Sequence, residues 1–243
     1  IPSANVEGVS PDGWAGPEAT FPLPRTSSPA PFLQLEGVAV PGLTYPYHFN
    51  AQVNGGPVTE STIDQPGPFN ILMPLSAGEV RPVGNVRLSF PQTFVPARTE
   101  PNSHDDRELS VLLHSVRITS AEQPVLACFR EGWYEKETDG KDWWRWGKAD
   151  GVIELAAERS GTLVITGDAR TQVAGNALDV LLDGVRFATV PLPKIEWNPI
   201  SLPVPVSAGK HLLQIQSRLP GIVPAGDGRV IAFGLKNAAF KLP

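Results

Sequence analysis

The sequence predicts an all-β protein made of two tandem antiparallel β-sandwiches of jelly-roll type, spanning residues 1–122 and 123–243. Three observations predict it. The chain carries 26 Pro and 23 Gly in 243 residues, a density that helices reject and strand-and-turn proteins absorb, because Pro lacks a backbone donor and both residues punctuate turns. Short β-branched or alternating runs recur between turn residues. The same features also return in the same order in the second half, and a repeat of this length fixes the architecture before any single strand is assigned.

The strands follow from pattern. Gly161-Thr162-Leu163-Val164-Ile165-Thr166 is a β-branched run bounded by turn residues, and Leu212 to Gln216 interleaves apolar side chains with Gln214 and Gln216, as in a half-buried strand. The best helix candidate, Gly151 to Arg159, contains Val152-Ile153-Glu154-Leu155 and reads more naturally as a strand. The repeat pairs Asp12-Gly13-Trp14, followed by Pro17-Glu18, with Glu131-Gly132-Trp133, followed by Glu137. It pairs Asn54-Gly55 with Asp183-Gly184, and both dipeptides favour hairpin turns. Asn70-Ile71 through Ser76-Ala77-Gly78 pairs with Asn198-Pro199-Ile200 through Ser207-Ala208-Gly209, and the strand from Asn85 pairs with that from His211. Asp105-Asp106-Arg107 pairs with Asp227-Gly228-Arg229, each before a closing strand. The spacing drifts from 119 residues for Trp14 and Trp133 to 129 for Asn54 and Asp183 and 122 for Arg107 and Arg229, as loop-length changes produce.

Composition narrows the function classes. At 41% hydrophobic and 19% charged, each half has enough apolar material to form a core. A net charge of -5 supplies no basic footprint for a nucleic-acid backbone, so nucleic acid is excluded as a partner. Cys128 is the only cysteine. It can form no intrachain disulfide or thiolate zinc site, and is expected as a small buried hydrophobe. No apolar run is long enough to span a membrane. The start at Ile1 rather than Met leads us to expect a processed or excised chain. No Gly-x-Ser-x-Gly elbow, phosphate loop or dinucleotide fingerprint is present. His48, His104, His114 and His211 are scattered, and neither a metal nor a cofactor is expected.

The segment Gly132-Trp133-Tyr134-Glu135 through Glu137-Thr138-Asp139-Gly140 to Trp144-Arg145-Trp146, the Asp183-Gly184 turn and Gly226-Asp227-Gly228-Arg229 together resemble a β-sandwich module appended to membrane-embedded glycosyltransferases and other envelope proteins of bacteria. The resemblance covers nearly all of the second half and, more faintly, the first. It implies a galactose-binding-like or jelly-roll fold, an extracytoplasmic location and no catalysis. The first half departs from the pattern, with Ala15 after Trp14 and no Arg-Trp pair after Glu18.

Four of the six Trp fall between Trp133 and Trp146, mixed with Glu135, Glu137, Asp139, Asp142 and Arg145. Flat aromatic faces beside carboxylates and guanidinium groups are the ingredients of a carbohydrate site. Candidate ligand-binding residues are therefore Tyr134, Glu137, Trp143, Trp144 and Arg145. In the alternative reading, strand alternation puts Trp144 and Trp146 in the core while Arg145 faces out or stacks, leaving Tyr134 and Trp143 as the aromatics expected to be exposed. Asp105 with Arg107, and Asp227 with Arg229, are expected to be ion pairs that fasten the loop before each closing strand. Asp139, Asp142 and Asp150 are the only acidic cluster worth weighing for calcium, and they lack a recognisable loop motif. Glu135 and Glu137 on one strand face are the only carboxylate pair to weigh for hydrolysis.

The expected function is a non-catalytic carbohydrate-binding-like accessory module. The alternative is a structural subunit that docks on a larger membrane or cell-surface assembly. Seven prolines between residues 17 and 46 favour that alternative if the stretch is an extended arm.

Overall fold

The computed structural model describes residues 6–23, 31–75 and 84–243. The chain divides into two compact units, Ile1–Glu122 and Gln123–Pro243. Both are antiparallel β-sandwiches, and the only helix among the described residues is one turn long. Among the described residues no helix is long and apolar enough to cross a membrane.

The first unit contains β1 (Glu7–Val9), β2 (Ala15–Leu23), β3 (Phe32–Ala39), β4 (Tyr47–Val53), β5 (Val58–Ile63), β6 (Gly67–Pro74), β7 (Gly84–Ser89), α1 (Pro96–Thr99) and β8 (Val111–Ile118). One sheet has the order β1-β2-β7-β4-β5 and the facing sheet β6-β3-β8. The second unit contains β9 (Val125–Phe129), β10 (Glu137–Thr138), β11 (Trp143–Gly147), β12 (Asp150–Ala157), β13 (Gly161–Thr171), β14 (Asn176–Leu182), β15 (Val185–Leu192), β16 (Asn198–Val206), β17 (Gly209–Ser217) and β18 (Phe233–Lys241). Its sheets run β9-β12-β17-β14-β15 and β16-β13-β18-β11-β10. The two topologies coincide strand for strand, except that the second unit has one additional hairpin, β10-β11.

Alternation builds both cores. Tyr47, Phe49, Ala51 and Val53 are buried along β4, and Ile153, Leu155 and Ala157 along β12, since successive side chains of a strand face opposite ways. Each large apolar side chain so buried contributes about 1.5–3 kcal/mol before its entropy cost. Cys128 lies buried on β9. Gly151 to Ala157 is strand, as the β-branched pattern implies.

Backbone hydrogen bonds revise the opening match of the repeat. The Ser10 N–H donates to the Trp14 carbonyl and the Tyr134 N–H to the Trp146 carbonyl. Val9 bridges Ala15, and Trp133 bridges Gly147. Trp14 is thus the counterpart of Trp146, and Val9 that of Trp133. Glycines confirm the frame. A Cβ at Gly8 would lie 1.9 Å from the Glu18 carbonyl oxygen, and one at Gly132 would lie 1.7 Å from that of Asp150, with φ of +74° and +80°. Glu18 accordingly matches Asp150 and not Glu137. The Gly-Trp dipeptides misled because one glycine enters the sandwich and the other closes a turn. Between the matched positions the first unit has three residues, Pro11 to Gly13, and the second has eleven, Glu135 to Arg145. The aromatic segment is an enlarged turn.

The other matches rest on shared bonds. The Asn54 side chain accepts from the Asn85 N–H at 2.9 Å, and the Asp183 side chain from the Leu212 N–H at 2.8 Å. This pairs Asn85 with Leu212, one residue past His211. Ser76-Ala77-Gly78 lies outside the described residues. Much of the described part of the proline-rich stretch is strand. Pro17 and Pro22 sit within β2, which pairs with β7, and β3 follows; Pro24 and Pro29 lie outside the described residues.

His211 fastens two turns of the second unit. Its Nδ1 is 2.7 Å from the Asp183 carboxylate and its Nε2 3.0 Å from the Ser207 carbonyl. Two acceptors require two donors, the imidazolium form. Burial pushes His211 down, but bonding to Asp183 and Ser207 outweighs it and raises the group above 6.5. Asp183 is lowered below 3.8, with burial opposing and the His211 bond prevailing.

Two measurements test this frame. Gly132→Ala forces a Cβ into the Asp150 carbonyl and is expected to cost about 2 kcal/mol or more in chemical denaturation. The His211 contribution is fully present below pH 6.5 and lost as pH rises through the raised value, whereas that of Asp183 is present above 3.8 and lost on acidification. Stability is therefore expected to fall as pH rises above about 6.5 and through the raised His211 value. Thermal melts of His211→Asn should lose that slope.

Candidate functional site

The β10-β11 hairpin turns on its own side chains. The Asp139 Oδ1 accepts from the N–H groups of Lys141 (3.0 Å) and Asp142 (2.7 Å), and Thr138 Oγ1 donates to the Asp142 carbonyl at 2.7 Å. Those backbone donors hold the Asp139 carboxyl below 3.8. Gly140 supplies a φ of +89° that other residues resist. The hairpin then joins the closing strand, with Trp144 opposite Lys236, Arg145 opposite Leu235, Trp146 opposite Gly234 and Gly147 opposite Phe233.

This register decides which aromatics are open. Phe233 and Leu235 are in the core, so Arg145 and Gly147 share their inner side. Trp144 and Trp146 share the outer side with Gly234 and Lys236. The expectation that Trp144 and Trp146 fill the core is therefore corrected. Their neighbours Phe233 and Leu235 already fill it, and a Cβ at Gly147 would lie 2.5 Å from the Phe233 ring.

On the outer side Trp146 stacks with Trp197, with ring centroids 5.6 Å apart and planes at 28°. Trp197 comes from the loop before β16. Gly234 makes room for the pair: a Cβ there would lie 2.7 Å from Trp146 Cε3 and 3.1 Å from Trp197 Cη2. The Arg170 guanidinium carbon is 5.9 Å from both ring centroids, and Lys236 Nζ is 5.6 Å from that of Trp197. These groups, together with Trp144, Glu137 and Asp142, line an open groove of about 430 Å³.

Charge in the groove is ordered by ion pairs. Arg229 binds Asp227 through Nε and Nη2 and reaches Glu137 through Nη1 at 2.6 Å. The Arg229 bonds hold Asp227 down to about 2. Trp144 Nε1 donates to the other Glu137 oxygen at 2.9 Å. Asp142 accepts from Asn237 at 2.7 Å, and Lys236 stands 3.7 Å from Asp142 and 3.5 Å from Asp168.

Of the five residues singled out as ligand-binding, the structure brings Glu137 and Trp144 into the groove and keeps three out of it. Tyr134 spends its hydroxyl on the Val230 carbonyl at 3.0 Å, with Arg229 over its ring. Trp143 packs edge-on against Phe129 with centroids 6.2 Å apart. Arg145 lies over the same Phe129 ring and donates to the Tyr134 carbonyl. Both are on the inner side that the register gives them. Sequence reasoning missed Trp146 as an open face, and also Trp197, Arg170 and Lys236. The signal was the alternation Phe233-Gly234-Leu235-Lys236, large apolar inward and glycine or charge outward. Asp139 and Asp142 reach the groove, but Asp150 lies on β12 in the other sheet. Glu135 precedes β10 and shares no strand face with Glu137.

The first unit has the same brace but different residues where the second has Gly234 and Arg170. Arg107 binds Asp105 and also Asp12, at 2.9 Å, from the short turn. Ser110 N–H bonds the Ala15 carbonyl as Ala232 N–H bonds that of Gly147, which places Leu112 where the second unit has Gly234. Val38, opposite Leu112, stands where Arg170 does. Trp14 packs edge-on against Phe94 at 5.6 Å.

No family model matches the chain, and no curated protein matches it. Solved structures show distant likenesses. A carbohydrate binding module of lichenase 5A from Cellvibrio mixtus, in complex with cellotriose, is 18% identical with a TM-score of 0.32 over 46% of this chain and 88% of that one. The tandem CBM22 domain of Xyn10C from Paenibacillus barcinonensis is 11% identical with a TM-score of 0.30 over 96% and 84%. A Paenibacillus xanthan lyase is 14% identical with a TM-score of 0.31, and this chain spans 25% of its length. Likenesses this distant assign no ligand. The fold stands on the strand pairing itself, which is all-β and antiparallel.

Gly234→Val tests the platform. The new side chain is expected to displace Trp146 and Trp197, red-shifting the tryptophan emission, while the strand backbone tolerates valine and far-ultraviolet circular dichroism stays unchanged. Unaltered emission would show that the rings do not rest on Gly234.

Proposed function

We propose that the second sandwich binds carbohydrate on the outer face of β11, β18 and β13, as a non-catalytic module. One observation carries the reading: the stacked Trp146 and Trp197 pair lies over Gly234 in an open groove rimmed by Glu137, Asp142, Arg170 and Lys236. The apolar face of a pyranose packs against a flat indole, and its hydroxyls take hydrogen bonds from fixed polar groups around it. The pair is pre-positioned by a glycine and by the β18 register, so little ordering cost falls on binding.

The same geometry supports a binding role over hydrolysis. A glycosidase needs one carboxyl kept protonated near neutral pH and a second facing it across the sugar. Here Glu137 is engaged by Arg229 and Trp144, Asp142 by Asn237, and Asp227 is held down to about 2. The motif resemblance to envelope modules supports a place outside the cytoplasm. Exposed Ile222, Val223 and Val230 before β18 favour a second reading, docking on a larger surface assembly.

A glycan array probed with the intact chain and with Trp146→Ala/Trp197→Ala, both checked for folding by circular dichroism, tests the proposal. Binding by the intact chain, weakened at least about 10-fold in the variant, is the expected result. Silence of the intact chain across the array would overturn it in favour of docking.

A further inference from the structure

In the groove of the second sandwich, every charged side chain but one has its partners among the described residues. Arg229 is shared by Asp227 and Glu137, Lys236 faces Asp142 and Asp168, and Asp139 takes two backbone N–H groups. Arg170 stands apart. Its side chain has no ion pair and no hydrogen bond among the described residues, and its Nε is buried without an acceptor. Its only neighbours of note are the Trp146 and Trp197 rings, each 5.9 Å from the guanidinium carbon.

A guanidinium with unused N–H groups beside an apolar platform is a receptor for a planar or tetrahedral anion, because its donors form a fixed fork that matches carboxylate or sulfate oxygens. The groove's carboxylates do not oppose this. Glu137, Asp139 and Asp142 belong to the hairpin β10-β11, whereas Arg170 is on β13, with β18 between. Two strand spacings, about 10 Å, separate β11 from β13, and each hairpin acid already has a donor. Asp168 shares the outer side of β13 with Arg170 but faces Lys236, and Asp227 is held by Arg229, so the groove offers acceptors for hydroxyl groups beside one unfilled cation.

We infer that the second sandwich selects sugars bearing an anionic substituent, a uronate carboxylate or a sulfate ester, which Arg170 binds while the sugar ring lies on Trp146 and Trp197. This rests on the carbohydrate reading above and adds the ligand's charge to it. Val38 stands at the matching position of the first sandwich, so that copy has no such receptor.

The test compares binding of oligogalacturonate with its carboxyl-reduced, neutral form, and of a sulfated galactan oligosaccharide with its desulfated form, by isothermal titration on the full chain. The intact protein is expected to bind at least one anionic form about 10-fold or more tightly than its neutral counterpart, and the pair that shows the gap identifies the anion. Arg170→Gln should weaken the anionic form far more than its neutral counterpart and so abolish the gap. Arg170→Lys, which keeps the charge and the ring contact but loses the fork, should retain only part of it. A merely structural Arg170 would lower both members of a pair equally, and that result overturns the inference. Equal binding of charged and neutral forms by the intact protein also overturns it, while leaving the carbohydrate reading standing. Binding of neither form, with a silent glycan array, overturns both.

Discussion

The guanidinium of Arg229 ties the loop before the closing strand to the inserted hairpin, and the outer surface of the second sandwich depends on that tie. Bidentate contact with Asp227 fixes the loop, and the remaining arm holds Glu137. Glu137 in turn receives the Trp144 indole N–H. One cation therefore sets the loop, the edge strand β10 and the first aromatic of the groove. The first sandwich uses the same device with fewer parts, Arg107 gripping Asp105 and Asp12. An Asp-x-Arg bend whose backbone N–H also returns to the Asp carboxylate is stiff enough to serve both copies.

What separates the copies is the length of one turn. Three residues between Ser10 and Trp14 leave Trp14 packed against Phe94, whereas eleven between Tyr134 and Trp146 extend the sheet by two strands and swing Trp146 over β18. Leu112 and Val38 in the first copy would obstruct such a platform. Gly234 and Arg170 in the second accommodate it. The repeated scaffold thus has its core and its brace in both halves and an open aromatic groove in the second. That surface is bordered by a hairpin whose conformation is set locally, through Asp139, Thr138 and Gly140, so the strand framework beneath it did not have to change.

The fold was legible because its signals are local and periodic. Turn dipeptides, β-branched runs and the Asp-x-Arg bends each name a position without reference to the rest of the chain. The site was only partly legible, since strand alternation gives two faces but does not say which is inward. That choice belongs to the pairing of β11 with β18, and a shift of one residue exchanges the faces. Trp144 and Trp146 were therefore expected inside, and Trp143 with Tyr134 outside. Phe233 and Leu235 decide the matter from some 90 residues away. Trp197 and Arg170 were invisible for a related reason. They lie on separate elements, a loop and β13, and meet because the loop enters β16, which pairs with β13 with Asn198 opposite Ala169. The match of Trp14 with Trp133 failed because a glycine before a tryptophan serves two different turns. Only the backbone bonds of Ser10 and Tyr134 distinguish them.

The most direct test of this account is a titration of the full chain with the best-binding array glycan, followed through the six tryptophan indole N–H resonances by nuclear magnetic resonance. The account requires Trp144, Trp146 and Trp197 to shift together with the saturation of a single site, while Trp14, Trp133 and Trp143 stay in place. Shifts centred on Trp14, or on Trp143 without Trp146, would contradict it.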